Sequence, residues 1–361
     1  MNGLTAQALI HTYTSPRSRG EVFLTRQDVA DASKVADQVE IIQLDGPEFE
    51  MRHPIFWFLF DWTLGQLMAR HVEKKTVALI KTTGGFNGGN PLKILSKYRR
   101  NFGDVKLKDI FQFKISFFNS HSPLMQHFCE NVSTAHALDD VYNVNGDFNL
   151  NGHTIWPDAA YSDLYAKFWL NCPNGQSVRN RCKMVIDQLV EGGDILSIAS
   201  GSAQALIIAA YQAKQQNKNI KILLTDVSHD ALNLSKEKIQ AAEVAIEQFS
   251  FLKASFQKLP QLLNGKKFNI VEACGILDYL PDRIAIKLIK FALSVLKPGG
   301  KIIISNMVET RAANLLSKTY NWRVVYRHPK QFESLIKKGG GKNIKIYLEP
   351  WSIHSMATAN T

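Results

Sequence analysis

The second half of the chain alternates short apolar runs with longer amphipathic runs, and this alternation narrows the choice of folds. Five runs are typical of strands: Ile195–Ala199, Ile220–Thr225, Phe249–Lys253, Phe268–Ala273 and Lys301–Asn306. Three intervening runs have helical spacing: Ala203–Gln216, Ser228–Glu243 and Pro281–Leu296. Strands that alternate with helices predict a parallel sheet covered by helices on both faces.

Further elements flank this core. Residues 158–170 and 175–193 predict two helices ahead of the first strand, and Gly192 and Gly193 are expected to end the second. Two β-like runs, Ile344–Leu348 and Trp351–Met356, close the chain with only Glu349 and Pro350 between them. We expect these two runs to pair antiparallel at one edge of the sheet.

Length and composition indicate two domains. The chain has 361 residues, of which 45% are hydrophobic, enough for two cores. The Asn/Gly-rich stretch Asn143–Gly152 predicts a boundary, with an N-terminal α+β domain of unknown role at 1–150 and the regular domain at 151–361. The glycine-rich segment Lys81–Pro91 lacks the Gly-Lys-Ser/Thr ending of a phosphate loop, so a surface loop is favoured there.

Charge and cysteine content bear on partners and location. The net charge of +11 arises entirely in residues 151–361, which favours an anionic substrate, a nucleic acid or simply a solvated basic face. The four cysteines form no CxxC pair, so we expect no metal site and no disulfide framework. With neither a signal peptide nor an apolar run of about 20 residues, a cytoplasmic protein without a transmembrane segment is expected.

The loop after the first predicted strand is the first candidate for ligand binding. In doubly wound sheets, ligands bind at the carboxyl ends of the strands where the strand order switches. The small residues Ser200, Gly201 and Ser202 stand there, and the following helix offers free N–H groups. A dinucleotide loop would need three spaced glycines, so a cofactor without phosphates fits better.

Asp226 ends the second predicted strand, about 20 residues after this loop. A carboxylate at that place commonly accepts both hydroxyls of a ribose. The alternative role for Asp226 is to cap the next helix, which Ser228 can already do.

Four segments together resemble the class I S-adenosylmethionine-dependent methyltransferases: "ILSIASGSA", "LLTDVS", "FNIVEACGILDYLPD" and "LKPGGKIIISN". The resemblance implies a Rossmann-like, doubly wound sheet of seven strands and S-adenosylmethionine as cofactor. It departs from the family in two respects. Ser197 stands where an acidic residue is usual, and Ala199 and Ala203 stand where glycines are usual.

The resemblance implies a set of cofactor-binding residues. The acidic ribose ligand carries over to Asp226, the adenine edge to Ser255 and Phe256, and the methionine part to the residues after the fourth strand. Arg179 or Arg181 could reach a carboxylate, although surface charges on a helix are the plainer interpretation. The full set is Arg179, Ser197, Ala199, Ser200, Gly201, Asp226, Ser255, Phe256, Cys274 and Gly275.

Asp278 and Tyr279 follow the fourth predicted strand and are the candidate catalytic residues; the alternative is a helix-capping Asp and a packing Tyr. Trp322, Tyr326 and Arg327 could form a substrate lid or a packed edge. A small-molecule acceptor is expected, methylated on oxygen at an acidic group, either a carboxylate or a hydroxyl. A carboxylate is favoured because it needs no general base.

A narrower resemblance points the same way. "GQSVRNR", "GILDYLPDR" and "NWRVVYRHPKQF" resemble a bacterial subgroup described as making 3-hydroxypalmitic acid methyl ester. Two other functions stay open, a nucleic-acid methyltransferase and a non-catalytic binding protein of the same fold. The first is disfavoured because no Asp/Asn/Ser-Pro-Pro-aromatic motif follows the fourth strand.

Overall fold

The computed structural model describes residues 39–44, 49–51, 53, 56, 122–143, 149, 150, 153, 154, 166, 170–242, 244–310 and 322–361. Most of the apolar stretch at 53–70, the loop at 81–91 and most of the expected N-terminal domain lie outside these residues. The predicted boundary at residue 150 stays a prediction.

One eight-stranded sheet organises the described residues, in the order β1-β9-β10-β8-β7-β4-β5-β6. Strands β4 to β8 are parallel neighbours, and the order reverses between β4 and β7. The predicted doubly wound α/β sheet is therefore confirmed. Its strands are β1 (Val39–Gln43), β4 (Gly193–Ile198), β5 (Ile220–Asp226), β6 (Phe249–Lys253), β7 (Phe268–Ala273), β8 (Leu296–Met307), β9 (Lys342–Leu348) and β10 (His354–Asn360), with a separate two-stranded ribbon of β2 (Asn149–Leu150) and β3 (His153–Thr154).

Helices cover both faces of the sheet because successive strand residues point to opposite sides. Ile195 and Ile222 pack into one core cluster and Leu196 and Val271 into the other. The helices are α1 (Pro123–Glu130), α2 (Ala135–Asn143), α3 (Pro173–Leu189), α4 (Gln204–Gln215), α5 (His229–Ala241), α6 (Leu259–Leu262), α7 (Asp282–Ser294) and α8 (Pro329–Lys338). Residues of α2, α3, α4 and α5 belong to the first cluster, and those of α6, α7 and α8 to the second.

The end of the chain differs from the expectation in its position. β9 and β10 do pair antiparallel. They do not form an edge, however, since β10 also pairs with β8 and the parallel strand β1 covers β9. The sheet thus has one strand more than the seven implied by the resemblance. That strand comes from the N-terminal part of the chain, where no regular pattern could reveal it.

The turn between β9 and β10 is held by the buried carboxylate of Glu349. It accepts hydrogen bonds from the backbone N–H of Ile353 at 2.7 Å and of His354 at 3.1 Å, and from the Ser177 hydroxyl at 2.6 Å. These bonds fix the first residue of β10 against α3. No helix among the described residues has the length and apolar character needed to cross a membrane.

Arg179 of α3 is fully buried and ties the N-terminal part of the chain to the sheet domain. Its guanidinium binds both oxygens of the Glu50 carboxylate at 2.8 Å. It also donates to the carbonyls of Val141 and Leu170, each at 3.0 Å, and to the side chain of Asn171 at 2.7 Å. Arg179 is thus committed to structure, and the alternative of a surface charge is wrong.

Truncation of this buried pair should be costly. We expect Arg179→Ala to lower the free energy of unfolding by about 3–5 kcal/mol, because the Glu50 carboxylate would remain buried without its main partner. Urea denaturation measures this change. Arg283→Ala on the exposed start of α7 is the control and should shift stability by no more than about 0.5 kcal/mol.

A double-mutant cycle checks the cause. Glu50→Ala combined with Arg179→Ala should cost clearly less than the sum of the two single changes, since neither charge is then left alone. Additive costs would contradict a direct ion pair as the source of the stability.

Candidate active site

The loop between β4 and α4 keeps a glycine-like backbone with a single glycine. Ala199, Gly201 and Ala203 all have positive φ, at 57°, 55° and 55°. A non-glycine residue in this region costs about 1–3 kcal/mol and persists where the surroundings enforce it, often at a functional site. The two alanines at the positions of the family's usual glycines thus adopt the backbone region that glycine favours.

Asp226 helps to enforce this path. One carboxylate oxygen accepts the Gly201 N–H at 3.0 Å, and the other accepts the Ser228 N–H at 2.8 Å. The Ser228 hydroxyl in turn accepts the Ala231 N–H, so Ser228 caps α5. Asp226 is nearly buried, yet each carboxylate oxygen retains a further lone pair for another donor.

A cavity opens in front of the loop, and we call it the loop cavity. Most of its wall is the turn and the first residues of α4, with α2 and α3 opposite. Its lining residues are Leu138, Tyr142, Arg181, Cys182, Val185, Ala199, Ser200, Gly201, Ser202, Ala203, Gln204, Ala205, Leu206, Glu272 and Cys274. The hydroxyl of Ser200 is buried and has no hydrogen-bond partner among the described residues.

A second cavity, the aromatic cavity, lies beside the first and shares Leu138 and Arg181 with it. Its wall is mostly apolar, with a tilted pair of rings, Phe128 and Trp322, whose centroids are 6.0 Å apart. Its lining residues are Phe128, Leu138, Val141, Leu170, Cys172, Asn174, Gly175, Val178, Arg181, Gly275, Asp278, Tyr279, Met307, Trp322, Val324, Tyr326 and His354. Two adjoining cavities suit two ligands that react with each other.

Arg181 stands where the cavities meet. Its guanidinium donates to the Tyr142 hydroxyl at 3.3 Å and lies 3.7 Å from the carboxylate of Asp278. Burial raises the pKa of Asp278 to about 6, although Arg181 and the Met307 N–H at 2.7 Å act in the opposite direction. Asp278 is thus ionised at neutral pH and becomes protonated in mildly acidic solution.

His354 brings a neutral imidazole to the aromatic cavity. It is almost fully buried, and neither ring nitrogen has a hydrogen-bond partner among the described residues. Burial lowers its pKa well below the usual value, and the nearby charge of Arg181 lowers it further. A neutral imidazole has one donor and one acceptor nitrogen, so His354 can bind a hydroxyl in either direction.

The predicted site residues fall into three groups. Ala199, Ser200, Gly201 and Cys274 line the loop cavity, while Gly275, Asp278 and Tyr279 line the aromatic cavity. Asp226 lies behind the loop and bonds it from the end of β5, whereas Ser197 near the end of β4 donates its hydroxyl to Glu272 on β7. Arg179, Ser255 and Phe256 line neither cavity, so their cofactor roles have no support in this arrangement.

Of the three predicted lid residues, two line the aromatic cavity and one does not. Trp322 and Tyr326 line the aromatic cavity, and Trp322 donates to the Tyr279 hydroxyl at 2.6 Å. Arg327 instead is buried, binding Asp282 and the carbonyl of Leu277, each at 2.9 Å. It fixes the segment that follows β7 and does not face the cavity.

Sequence reasoning missed Glu272, His354 and the residues supplied by α2. Glu272 carried a usable signal, an acidic residue inside the apolar run "FNIVEA". His354 carried none, because one histidine in a β-like run is as readily a core residue. Leu138 and Tyr142 stand in a helix whose apolar spacing indicates burial but not its partner.

Comparison with known proteins finds methyltransferases that are similar to part of the chain. A family model described as a methyltransferase domain matches residues 189–349. The ubiquinone/menaquinone biosynthesis C-methyltransferase UbiE of Rickettsia typhi is 34% identical over 110 residues, 30% of this chain and 42% of that protein. The enzyme of the same name from Rickettsia prowazekii is 28% identical over 165 residues, 45% of this chain and 55% of that protein. The chain thus spans about half the length of these relatives.

The fold has a counterpart among solved structures. The crystal structure of a possible exported protein from Bordetella parapertussis aligns with 66% of this chain and 85% of its own, at a TM-score of 0.50 and 15% identity. At such identity the likeness concerns the fold alone.

Family match, relatives, strand order and loop agree, and residues 189–349 form a class I, S-adenosylmethionine-dependent methyltransferase domain.

Proposed function

We propose that this protein transfers a methyl group from S-adenosylmethionine to an acidic oxygen of a small, largely apolar acceptor. The observation that carries the proposal is the meeting of the loop cavity and the aromatic cavity at Arg181 and Leu138. A cofactor in the first cavity and an acceptor in the second would be neighbours.

The loop cavity suits this cofactor chemically. It offers the unpaired hydroxyl of Ser200 and the start of α4. The Asp226 carboxylate does not line the cavity but lies directly behind it, bonded to the Gly201 N–H. We assign Asp226 to the ribose and Ala199, Ser200, Gly201 and Cys274 to the walls around the cofactor. When bound, S-adenosylmethionine supplies an electrophilic methyl group on a sulfonium sulfur.

The aromatic cavity suits an acceptor with an apolar body. Phe128, Trp322, Val324 and Tyr326 would enclose that body and exclude water, which favours displacement at the methyl carbon. Phe128 comes from α1, so the N-terminal part of the chain would help to cover the acceptor.

The polar groups of this cavity favour a hydroxyl over a carboxylate. At neutral pH Asp278 is ionised and would repel an anionic acceptor, since Arg181 is already beside it. The same carboxylate can receive the proton of a hydroxyl. His354 can orient that hydroxyl. Among oxygen acceptors, we thus favour a hydroxyl over the carboxylate that the sequence alone favoured.

Carbon methylation is a second candidate. The relatives in Rickettsia are named as C-methyltransferases, and the aromatic cavity would accept a ring as readily as a chain. The position of the new methyl group distinguishes the two.

Labelled cofactor would identify the product. Purified protein incubated with a cell extract and ¹³C-methyl-labelled S-adenosylmethionine should yield one small, apolar labelled product, detected by mass spectrometry. NMR should show an O-methyl group that survives mild alkali, as an ether does. An alkali-labile ester would point to a carboxylate, a methyl on carbon to the second candidate, and label in RNA or DNA would refute the proposal.

The pH dependence tests Asp278. For a hydroxyl acceptor, kcat/KM should be constant above about pH 7 and fall as the pH drops below about 6, where Asp278 takes up a proton. Asp278→Asn should lower kcat/KM and remove this acidic limb. A carboxylate acceptor predicts the reverse, a kcat/KM that rises towards pH 6 as the repelling charge disappears.

His354→Leu separates function from stability. Because the variant removes buried nitrogens that have no hydrogen-bond partner in the described part of the chain, the free energy of unfolding should stay unchanged or rise by about 1–3 kcal/mol. The kcat/KM for the acceptor should fall about tenfold through loss of one hydrogen bond, with cofactor affinity unchanged. His229→Leu on the exposed start of α5 is the control. Wild-type kcat/KM in His354→Leu would contradict a contact with the acceptor.

A further inference from the structure

Glu272 is a buried carboxylate whose function the sheet alone does not explain. It stands on β7 directly beside Ser197 of β4, the position at which the family's acid is missing. One oxygen accepts the Ser197 hydroxyl at 2.5 Å, and the other accepts the Cys274 N–H at 2.7 Å. These two bonds aim the carboxylate at the wall of the loop cavity, which Glu272 lines.

No cation of the described residues forms an ion pair with Glu272, although the residue is only 6% exposed. An ionised carboxylate is expensive to bury without a positive partner. Burial accordingly raises the pKa of Glu272, while the bonds from Ser197 and Cys274 and the charge of Arg181 lower it. A cationic group entering the loop cavity would therefore stabilise the ionised form.

The loop cavity carries one charge of each sign. Among the described residues that line it, Glu272 is the acidic one and Arg181 the basic one. A ligand part with both an ammonium and a carboxylate matches this pair, and the amino-acid end of S-adenosylmethionine has both groups. Asp226 lies behind Gly201, and Asp278 lines the other cavity, so neither competes for this position.

We propose that Glu272 binds the ammonium group of the cofactor's methionine part, and that its carboxylate has taken over from β7 the place left by Ser197 on β4. The assignment rests on the cofactor of the proposed function and is independent of the acceptor. Its test is therefore a binding measurement.

Calorimetry on the full chain compares three ligands. S-adenosylmethionine and S-adenosylhomocysteine both carry the ammonium, while methylthioadenosine lacks the whole amino-acid end. Glu272→Gln should weaken binding of the first two by about ten- to a hundredfold, as expected for loss of a charged hydrogen bond. The affinity for methylthioadenosine should stay within about twofold of wild type, which also shows that the variant is folded.

Equal affinities of Glu272→Gln and wild type for all three ligands would overturn the assignment. Weakening for S-adenosylmethionine alone would overturn it too, since that result would place the carboxylate at the sulfonium. A wild-type protein that binds none of the three would overturn the proposed function along with it.

Two further variants sharpen the test. Asp194→Asn changes a carboxylate at the opposite end of β4, where it pairs with Lys297, and should leave all three affinities unchanged. Ser197→Asp combined with Glu272→Thr moves the carboxylate back to β4 across the same strand pair. We expect this double variant to recover at least half of the binding free energy that Glu272→Thr alone loses, and no recovery would count against the relocation.

Discussion

The parallel pairing of β4 with β7 is the constraint on which the site depends. The strand order reverses at this pair, so the chain leaves β4 and β7 towards opposite faces of the sheet and a crevice forms between the two exits. The loop after β4 forms one side of the crevice. The segment after β7, with Gly275 and Asp278, forms the other. Both proposed ligand positions lie at this crevice, so they depend on the reversal of strand order between β4 and β7.

The cost of the loop shows how firmly the surroundings hold it. Ala199 and Ala203 adopt a backbone that glycine would adopt freely, at about 1–3 kcal/mol each. Asp226 bonds the Gly201 N–H, and the Ser235 hydroxyl donates to the Gly201 carbonyl at 2.9 Å. The chain thus has positive φ at the positions where the family's glycines usually stand, although alanines occupy two of these positions.

The sequence predicted the sheet well and the site unevenly, for physical reasons. Strands β4 to β7 follow local apolar runs, so their bounds could be read directly, whereas β1 depends on a partner some 300 residues away. Loop residues near the motif, such as Ser200 and Gly201, do line a cavity. Arg179, which the sequence placed among the cofactor-binding residues, is instead buried in α3 and pairs with Glu50. No rule of sequence spacing connects these two residues.

Arg181 links the two cavities electrostatically. It lines both cavities, donates to the Tyr142 hydroxyl and lies beside the Asp278 carboxylate. Its charge also lowers the pKa of Glu272 and that of His354. A carboxylate that binds Arg181 from the loop cavity would compete with Asp278 for the same guanidinium. Asp278 would then be a stronger base when the first cavity is filled. With the proposed cofactor in the loop cavity, Arg181 would thus couple the charge of the first ligand to the basicity of Asp278 in the second cavity.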